Sequence, residues 1–201
     1  MTPKLNLAAT VPCTEVEGPG RRFVVWVQGC NLGCEGCCNG EMLAFKPKRV
    51  CEPSEVAVEL DAAEKRFGIE GLTLLGGEPF LQARGLAVLA RHAQARKLSV
   101  MVFSGFTLAR LRTLNLPGSE ELLSATDLLV DGPFVPALHD SLRNWVGSRN
   151  QRFHFLTDRY GPDIIDDPSY RSGMEVRFSS DGSIKINGQP SVINALNGNP
   201  S

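Results

Sequence analysis

Arg22-Phe-Val-Val-Trp-Val-Gln-Gly-Cys-Asn-Leu-Gly-Cys-Glu-Gly-Cys37 is the stretch from which the rest of the chain can be read. Its first six residues are β-branched or aromatic apart from Arg22, the pattern of a buried strand that stops at Gly29. Three cysteines follow as C-x3-C-x2-C, at Cys30, Cys34 and Cys37. Six cysteines scattered at random would produce that spacing about 0.005 times in a chain of this length. Gly29, Gly33 and Gly36 allow the tight turns that bring three thiolates to one face of a loop. Three thiolates suit three irons of a [4Fe–4S] cube and leave the fourth iron without a protein ligand. An open position is what separates a catalytic metal site from a structural one. The alternative is zinc, with Cys38, Cys51 or a histidine as fourth ligand. Zinc ribbons usually carry two C-x2-C pairs, and only one is present here.

The remaining composition narrows the class. In 201 residues there are 21 Lys and Arg against 22 Asp and Glu, a net charge of −1. A dedicated nucleic-acid binder needs a basic face to displace phosphate counterions, so no nucleic-acid partner is expected. With 42% apolar and 21% charged residues the chain can fill a core. No apolar run approaches the ~20 residues that span a bilayer, and Met1–Cys13 lacks a signal-peptide core, so the expected location is the cytoplasm, with no membrane partner. The six cysteines, at positions 13, 30, 34, 37, 38 and 51, are crowded at one end. In a cytosolic protein that points to a metal or redox chemistry rather than to disulfides.

Outward from the cysteine run, strands and helices alternate. Pro53-Ser54-Glu55 opens a helix with Ser54 as N-cap and Val56, Leu60, Ala63 and Phe67 on one face, ended by Gly68. Gly71–Leu75 is a second strand, Phe80–Lys97 a helix with Leu86, Leu89, Ala90 and Ala93 inward, and Ser99–Phe103 a third strand. Short helices at Thr107–Thr113 and Ser119–Ala125 precede a fourth strand, Asp127–Asp131. Strand, crossover helix and strand in repetition give parallel strands joined by right-handed crossovers. After Pro133 the pattern weakens. Asp158–Gly173 is polar and loop-like, and Asp181-Gly182 between Glu175–Phe178 and Ile184–Ile186 reads as a β-hairpin. One domain over residues 1–196 is expected, with 197–201 a disordered tail.

A second motif, Leu74-Leu-Gly76-Gly77-Glu78-Pro79, stands at the end of the second strand. Alone it is a strand-to-helix turn in which Pro79 starts the next helix. Following the cysteine run in this order, it resembles the radical S-adenosylmethionine (SAM) superfamily, and within it the activating enzymes of anaerobic ribonucleotide reductase. Glu17-Gly-Pro-Gly-Arg21, Gln28–Asn39, Phe103-Ser-Gly-Phe106, Leu129-Val-Asp131-Gly, Gly147-Ser-Arg-Asn150-Gln-Arg152 and Glu175-Val-Arg-Phe carry the same resemblance over roughly residues 5–190. Cys38 stands where that group usually has an aromatic residue near the adenine of SAM, and the polar segment 158–173 is longer than in the reductase activators.

The resemblance implies an α/β fold, a partial (β/α) barrel of mostly parallel strands with a C-terminal β-hairpin. It implies one [4Fe–4S] cluster on Cys30, Cys34 and Cys37, with SAM chelating the open iron. It places Gly36, Cys38, Gly76, Gly77, Glu78, Pro79 and Ser104 around SAM. It assigns no side chain to acid–base catalysis. Reductive cleavage of SAM would give methionine and a 5′-deoxyadenosyl radical, which takes hydrogen from a glycine of a partner protein, a glycyl radical enzyme such as an anaerobic reductase. An electron donor of flavodoxin or ferredoxin type would supply the electron. The alternatives are radical chemistry on a peptide or small metabolite, and a non-catalytic zinc- or cluster-binding interaction module. Asp131 and Asn150 are further candidates for the site, while Cys13 and Cys51 read as small buried hydrophobes and His92 as exposed.

Overall fold

The computed structural model describes residues 3–170, 173–178 and 184–188. Thirteen regular elements are named here: β1 Leu5–Thr14, β2 Arg22–Val27, β3 Arg49–Cys51, α1 Pro53–Phe67, β4 Gly71–Gly76, α2 Ala83–Ala95, β5 Ser99–Ser104, α3 Leu108–Leu114, α4 Ser119–Ser124, β6 Leu128–Asp131, β7 Arg152–Phe155, β8 Met174–Phe178 and β9 Ile184–Gly188. A seven-stranded sheet runs β3-β1-β2-β4-β5-β6-β7, and β8 and β9 pair separately.

The centre of the sheet follows the expected crossovers. β2, β4, β5 and β6 are parallel, with Val27 opposite Gly76 and Ser104 opposite Asp131 at their C-terminal ends. Period-two alternation sorts each strand between two cores. Phe23, Val25, Val27, Leu72, Leu74, Val100 and Val102 face the helices and meet Val56, Leu60, Leu86, Leu89 and Ala90 of α1 and α2. On the other face, Val24, Trp26 and Leu75 form one cluster, and Met101, Leu128 and Val130 form another with Trp145. Each Leu or Val so buried contributes about 1.5–3 kcal/mol.

The flanks differ from the sequence expectation. β1, β3 and β7 are antiparallel to their neighbours, so four parallel strands are framed by antiparallel ones and the sheet stops at β3 and β7. β1 carries Pro12, which donates no ladder hydrogen bond, and its pairing with β2 slips between Val11 and Thr14. That irregularity masks a ten-residue strand in the sequence. The loop-like 158–173 region contains two short 3-10 turns, Pro162–Ile165 and Pro168–Tyr170. The hairpin strands form as expected; the Asp181-Gly182 turn and the 197–201 tail lie outside the described residues.

Local chemistry also corrects two helix starts. Glu52, not Ser54, is the N-cap of α1: Glu55 accepts the Glu52 amide at 2.8 Å in a capping box, and Pro53 occupies the first helical position. α2 begins at Ala83 rather than Phe80, because Pro79–Gln82 forms a 3-10 turn first. Gly68 ends α1 in the left-handed region, φ 60°, as its position suggests.

Arg22 is fully buried beneath the inner face. Its guanidinium donates to Thr73 Oγ1 (2.6 Å), Leu72 O (2.7 Å), Ser99 Oγ (2.9 Å) and Pro19 O (3.0 Å), none of them a carboxylate. Burial lowers its pKa. The residue ties the N-terminal ends of β2, β4 and β5 together, opposite the end where the cysteines lie.

Candidate functional site

β2 ends at Val27 and delivers the cysteine loop to the C-terminal edge of the sheet, where parallel α/β folds gather their sites. Cys30, Cys34, Cys37 and Cys38 are half-buried free thiols lining one open cavity of about 800 Å³. Gly76, Gly77, Glu78 and Ser104 line the same cavity, whose other walls include Trp26, Phe103, Phe134, Trp145 and Asn187.

The cysteine loop suits thiolate ligands. The Leu32 N–H donates to Cys30 Sγ at 3.5 Å, and the Gly33 and Asn39 amides donate toward Cys30 and Cys37. Burial raises the pKa of both thiols, while these N–H groups favour the anion. Three thiols from one loop, with amides aimed at sulfur, match the donor set of an iron–sulfur cluster bound by three cysteines. Among the described residues no three His, Cys, Asp or Glu side chains gather around a point that could hold a single metal ion. Burial pushes the Cys38 thiol up to about 12, so it is protonated. Gly36 has φ 67°, and a Cβ there would touch the Phe134 ring at 3.4 Å.

Gly76 and Gly77 have a reason in backbone packing. The Gly77 N–H donates to Val27 O (2.8 Å) and the Glu78 N–H to Gly29 O (2.9 Å), so the end of β4 is bonded to the root of the cysteine loop. A Cβ on Gly76, where φ is 107°, would lie 2.7 Å from the Val27 backbone; one on Gly77 would overlap the Gly29 carbonyl. Only glycine permits that approach. The two motifs separated in sequence are one backbone unit.

Glu78 is fully buried and its carboxylate points across to the next strand. It accepts from Ser104 Oγ (2.9 Å), Gly105 N–H (2.9 Å) and Phe80 N–H (3.0 Å). Burial outweighs those bonds and pushes its pKa up to about 7. Ser104 also accepts the Phe106 N–H at 3.1 Å, closing the turn after β5. Pro79 starts the 3-10 turn that follows.

The remaining candidates have structural partners. Asp131 is buried, accepts the Leu108 N–H, and lies 2.8 Å from His154 Nε2, a pairing the sequence did not reveal because the two meet only across β6 and β7. Asn150 Nδ2 donates to Pro133 O at 2.7 Å. His92 is half-buried rather than exposed, 2.8 Å from Asp61. Cys51 is buried and Cys13 half-buried. Sequence reading missed Glu17, buried on the cavity wall, where Asn187 Nδ2 donates to it at 3.2 Å and burial pushes its pKa to about 7.

A fold that sets a three-cysteine loop at the end of a parallel strand defines a class. The chain belongs to the family described as the 4Fe-4S single cluster domain, whose model matches residues 16–154, more than half of its length. Among its relatives are anaerobic ribonucleoside-triphosphate reductase-activating proteins. That of Pasteurella multocida is 33% identical over 159 residues, covering 76% of this chain and 99% of the relative. That of Vibrio cholerae is 31% identical over 158 residues, with the same coverage. That of bacteriophage T4 is 30% identical over 158 residues, covering 77% and 96%. The hairpin β8–β9 lies beyond the matched family stretch. No helix among the described residues is long and apolar enough to cross a membrane.

Proposed function

We propose that the chain is a radical SAM activating enzyme that installs a glycyl radical on a partner reductase of the kind named for its relatives. The observation that carries this reading is the backbone union of the two motifs: the Glu78 N–H on Gly29 O beside three cavity-lining cysteines. Cys30, Cys34 and Cys37 would hold a [4Fe–4S] cluster, and the chemistry that group would supply is one-electron reductive cleavage of SAM leading to hydrogen-atom removal from a glycine.

The chain's own residues then have definite tasks. Cys30, Cys34 and Cys37 would each ligate one iron. The amides of Gly77 and Glu78 are spent on the cysteine loop, so the Gly76–Gly77 turn offers carbonyl oxygens, which accept from a cationic amine. Glu78 holds that turn against Ser104 and Gly105. Cys38 lies on the cavity wall as a neutral, small side chain toward the bound nucleoside, whereas Gly36 and Pro79 stand outside that lining and act through the turns they form. Trp26, Phe103 and Trp145 keep water from the space in which hydrogen transfer occurs. In this reading the enzyme works in the cytoplasm, where its thiols stay reduced, and draws electrons from a flavodoxin- or ferredoxin-type donor.

Anaerobic purification tests the first part: about four irons and four sulfides per chain are expected for one such cluster. With reductant, SAM should be converted to methionine and 5′-deoxyadenosine. Addition of the anaerobic reductase should produce a protein-bound doublet in electron spin resonance. One zinc and no sulfide would overturn the reading in favour of an interaction module. SAM cleavage with no radical on the reductase would redirect it to a peptide or small metabolite.

A further inference from the structure

The loop between the cysteines and β3 is held as firmly as a regular element. Met42 O accepts the Gly29 N–H at 2.8 Å and Leu43 O accepts the Cys30 N–H at 2.9 Å. Ala44 O accepts from Gln28 Nε2 (2.6 Å), Lys46 O from Asn6 Nδ2 (2.9 Å), and the Lys48 N–H donates to Asn6 Oδ1 (2.9 Å). A segment so fixed can keep an apolar side chain inside, yet Phe45 is 70% exposed. Its ring lies over Gly29, where a Cβ would come within 2.9 Å of a ring carbon, one residue from Cys30. Val50, five residues on in the same stretch, is also exposed.

Three basic residues follow Phe45 in the chain. Lys46, Lys48 and Arg49 are exposed, and Lys48 stands where the patch meets the cysteine cavity, whose lining it joins. Arg49 is paired with Glu59, whereas Lys46 and Lys48 enter no ion pair among the described residues. An apolar centre with a charged rim is the anatomy of a protein–protein contact. The reaction proposed above needs one electron from outside at each turnover, and electron transfer weakens steeply with distance. The Phe45 loop touches the backbone of Cys30 directly, so a carrier seated on it is brought close to the cluster.

We propose that the patch formed by Phe45, Lys46, Lys48 and Val50 docks an acidic one-electron carrier protein. The inference rests on the radical SAM reading and names the partner of that site. In the step it serves, the carrier loses one electron and the cluster gains it; no bond is made or broken and no proton moves. The lysines attract the acidic carrier and the Phe45 ring supplies the desolvated centre, a contact of the small size typical of redox encounters.

The test uses flavodoxin as probe. Oxidised flavodoxin is titrated onto the cluster-loaded protein by calorimetry, a readout that needs no turnover. A Kd that weakens steeply between 50 and 300 mM salt is expected, with a loss of several-fold in Lys46→Glu and in Phe45→Ala, neither of which lines the cysteine cavity. SAM cleavage driven by dithionite, which needs no docking, should be unchanged in the same variants, showing that they fold and hold the cluster. Wild-type flavodoxin binding absent, or equal in all three proteins, overturns the docking proposal. Failure of the wild-type protein to cleave SAM with dithionite instead overturns the functional reading.

Discussion

The Ser104 hydroxyl donates to the Glu78 carboxylate at 2.9 Å, joining the ends of two neighbouring parallel strands through buried side chains. The same carboxylate accepts two backbone amides, from Phe80 and Gly105. Glu78 is therefore a brace for the turn that meets the cysteine loop. Ser104→Ala should cost about 1.5–3 kcal/mol, the range for a hydrogen bond to a charged group. For a chain of this size that is a fall in Tm of roughly 2–4 °C per kcal/mol, readable by thermal melting. Iron content should stay near wild type, since no ligand is removed.

Gly77→Ala is expected to act on the metal site without touching a ligand. Its new methyl group overlaps the Gly29 carbonyl, so the cysteine loop must shift away from β4. Overpacking of this kind costs about 1–3 kcal/mol. The measurement is iron and sulfide per folded chain after anaerobic reconstitution, which should fall well below that of wild type while the far-ultraviolet circular dichroism is retained.

The four clustered cysteines should separate into three and one. Cys30→Ala, Cys34→Ala and Cys37→Ala each remove one of the three thiolates and should abolish SAM cleavage. Cys38→Ser removes only a protonated thiol on the cavity wall and should leave iron content and the visible spectrum of the cluster nearly unchanged. Full cleavage activity in Cys34→Ala would refute the ligand assignment.

Glu17 predicts a pH dependence. Its folded pKa, about 7, lies above the ordinary 4.5 because burial disfavours the charged form. The folded state therefore holds the proton more tightly than the unfolded chain. The associated stability is complete below about pH 4.5 and is lost as pH rises through about 7, by roughly 3 kcal/mol for a shift of this size. Urea unfolding at pH 5 and pH 8 should show that loss. Glu17→Gln, which cannot ionise, should reduce it, leaving the share carried by Glu78, whose pKa is raised in the same direction.

The parts of the fold that were legible in the sequence are those where local pattern and tertiary role agree. Val24 and Trp26 alternate with Phe23 and Val25 as a strand between two cores requires, and Gly68 ends a helix in the left-handed conformation that glycine accepts readily. β1 was hidden because Pro12 interrupts it and its stability comes from pairing with β2 and β3 on both sides. For the site, residue types pointed to the right places but not to every partner. The resemblance sets Gly76 and Gly77 around SAM, and the structure adds that their missing side chains make room for the Val27–Gly29 backbone. The partner of Glu78 lies 26 residues away on β5, and no local spacing encodes such a meeting.

The unclosed sheet has a consequence for how this architecture can diverge. The cysteine loop, the glycine turn and the Glu78 brace all come from residues 28–105, whereas Phe134, Trp145, Gln151, Arg177 and Asn187 wall the cavity from the far half of the chain. Among the described residues no strand pairing joins β7 to β3 across the gap. In the proposed reading, radical generation and substrate admission would thus occupy separate stretches of polypeptide. Insertions or exchanges beyond β6 can reshape what enters the cavity while leaving the cluster's supports intact, which makes the second half of the molecule the place to graft a new substrate preference.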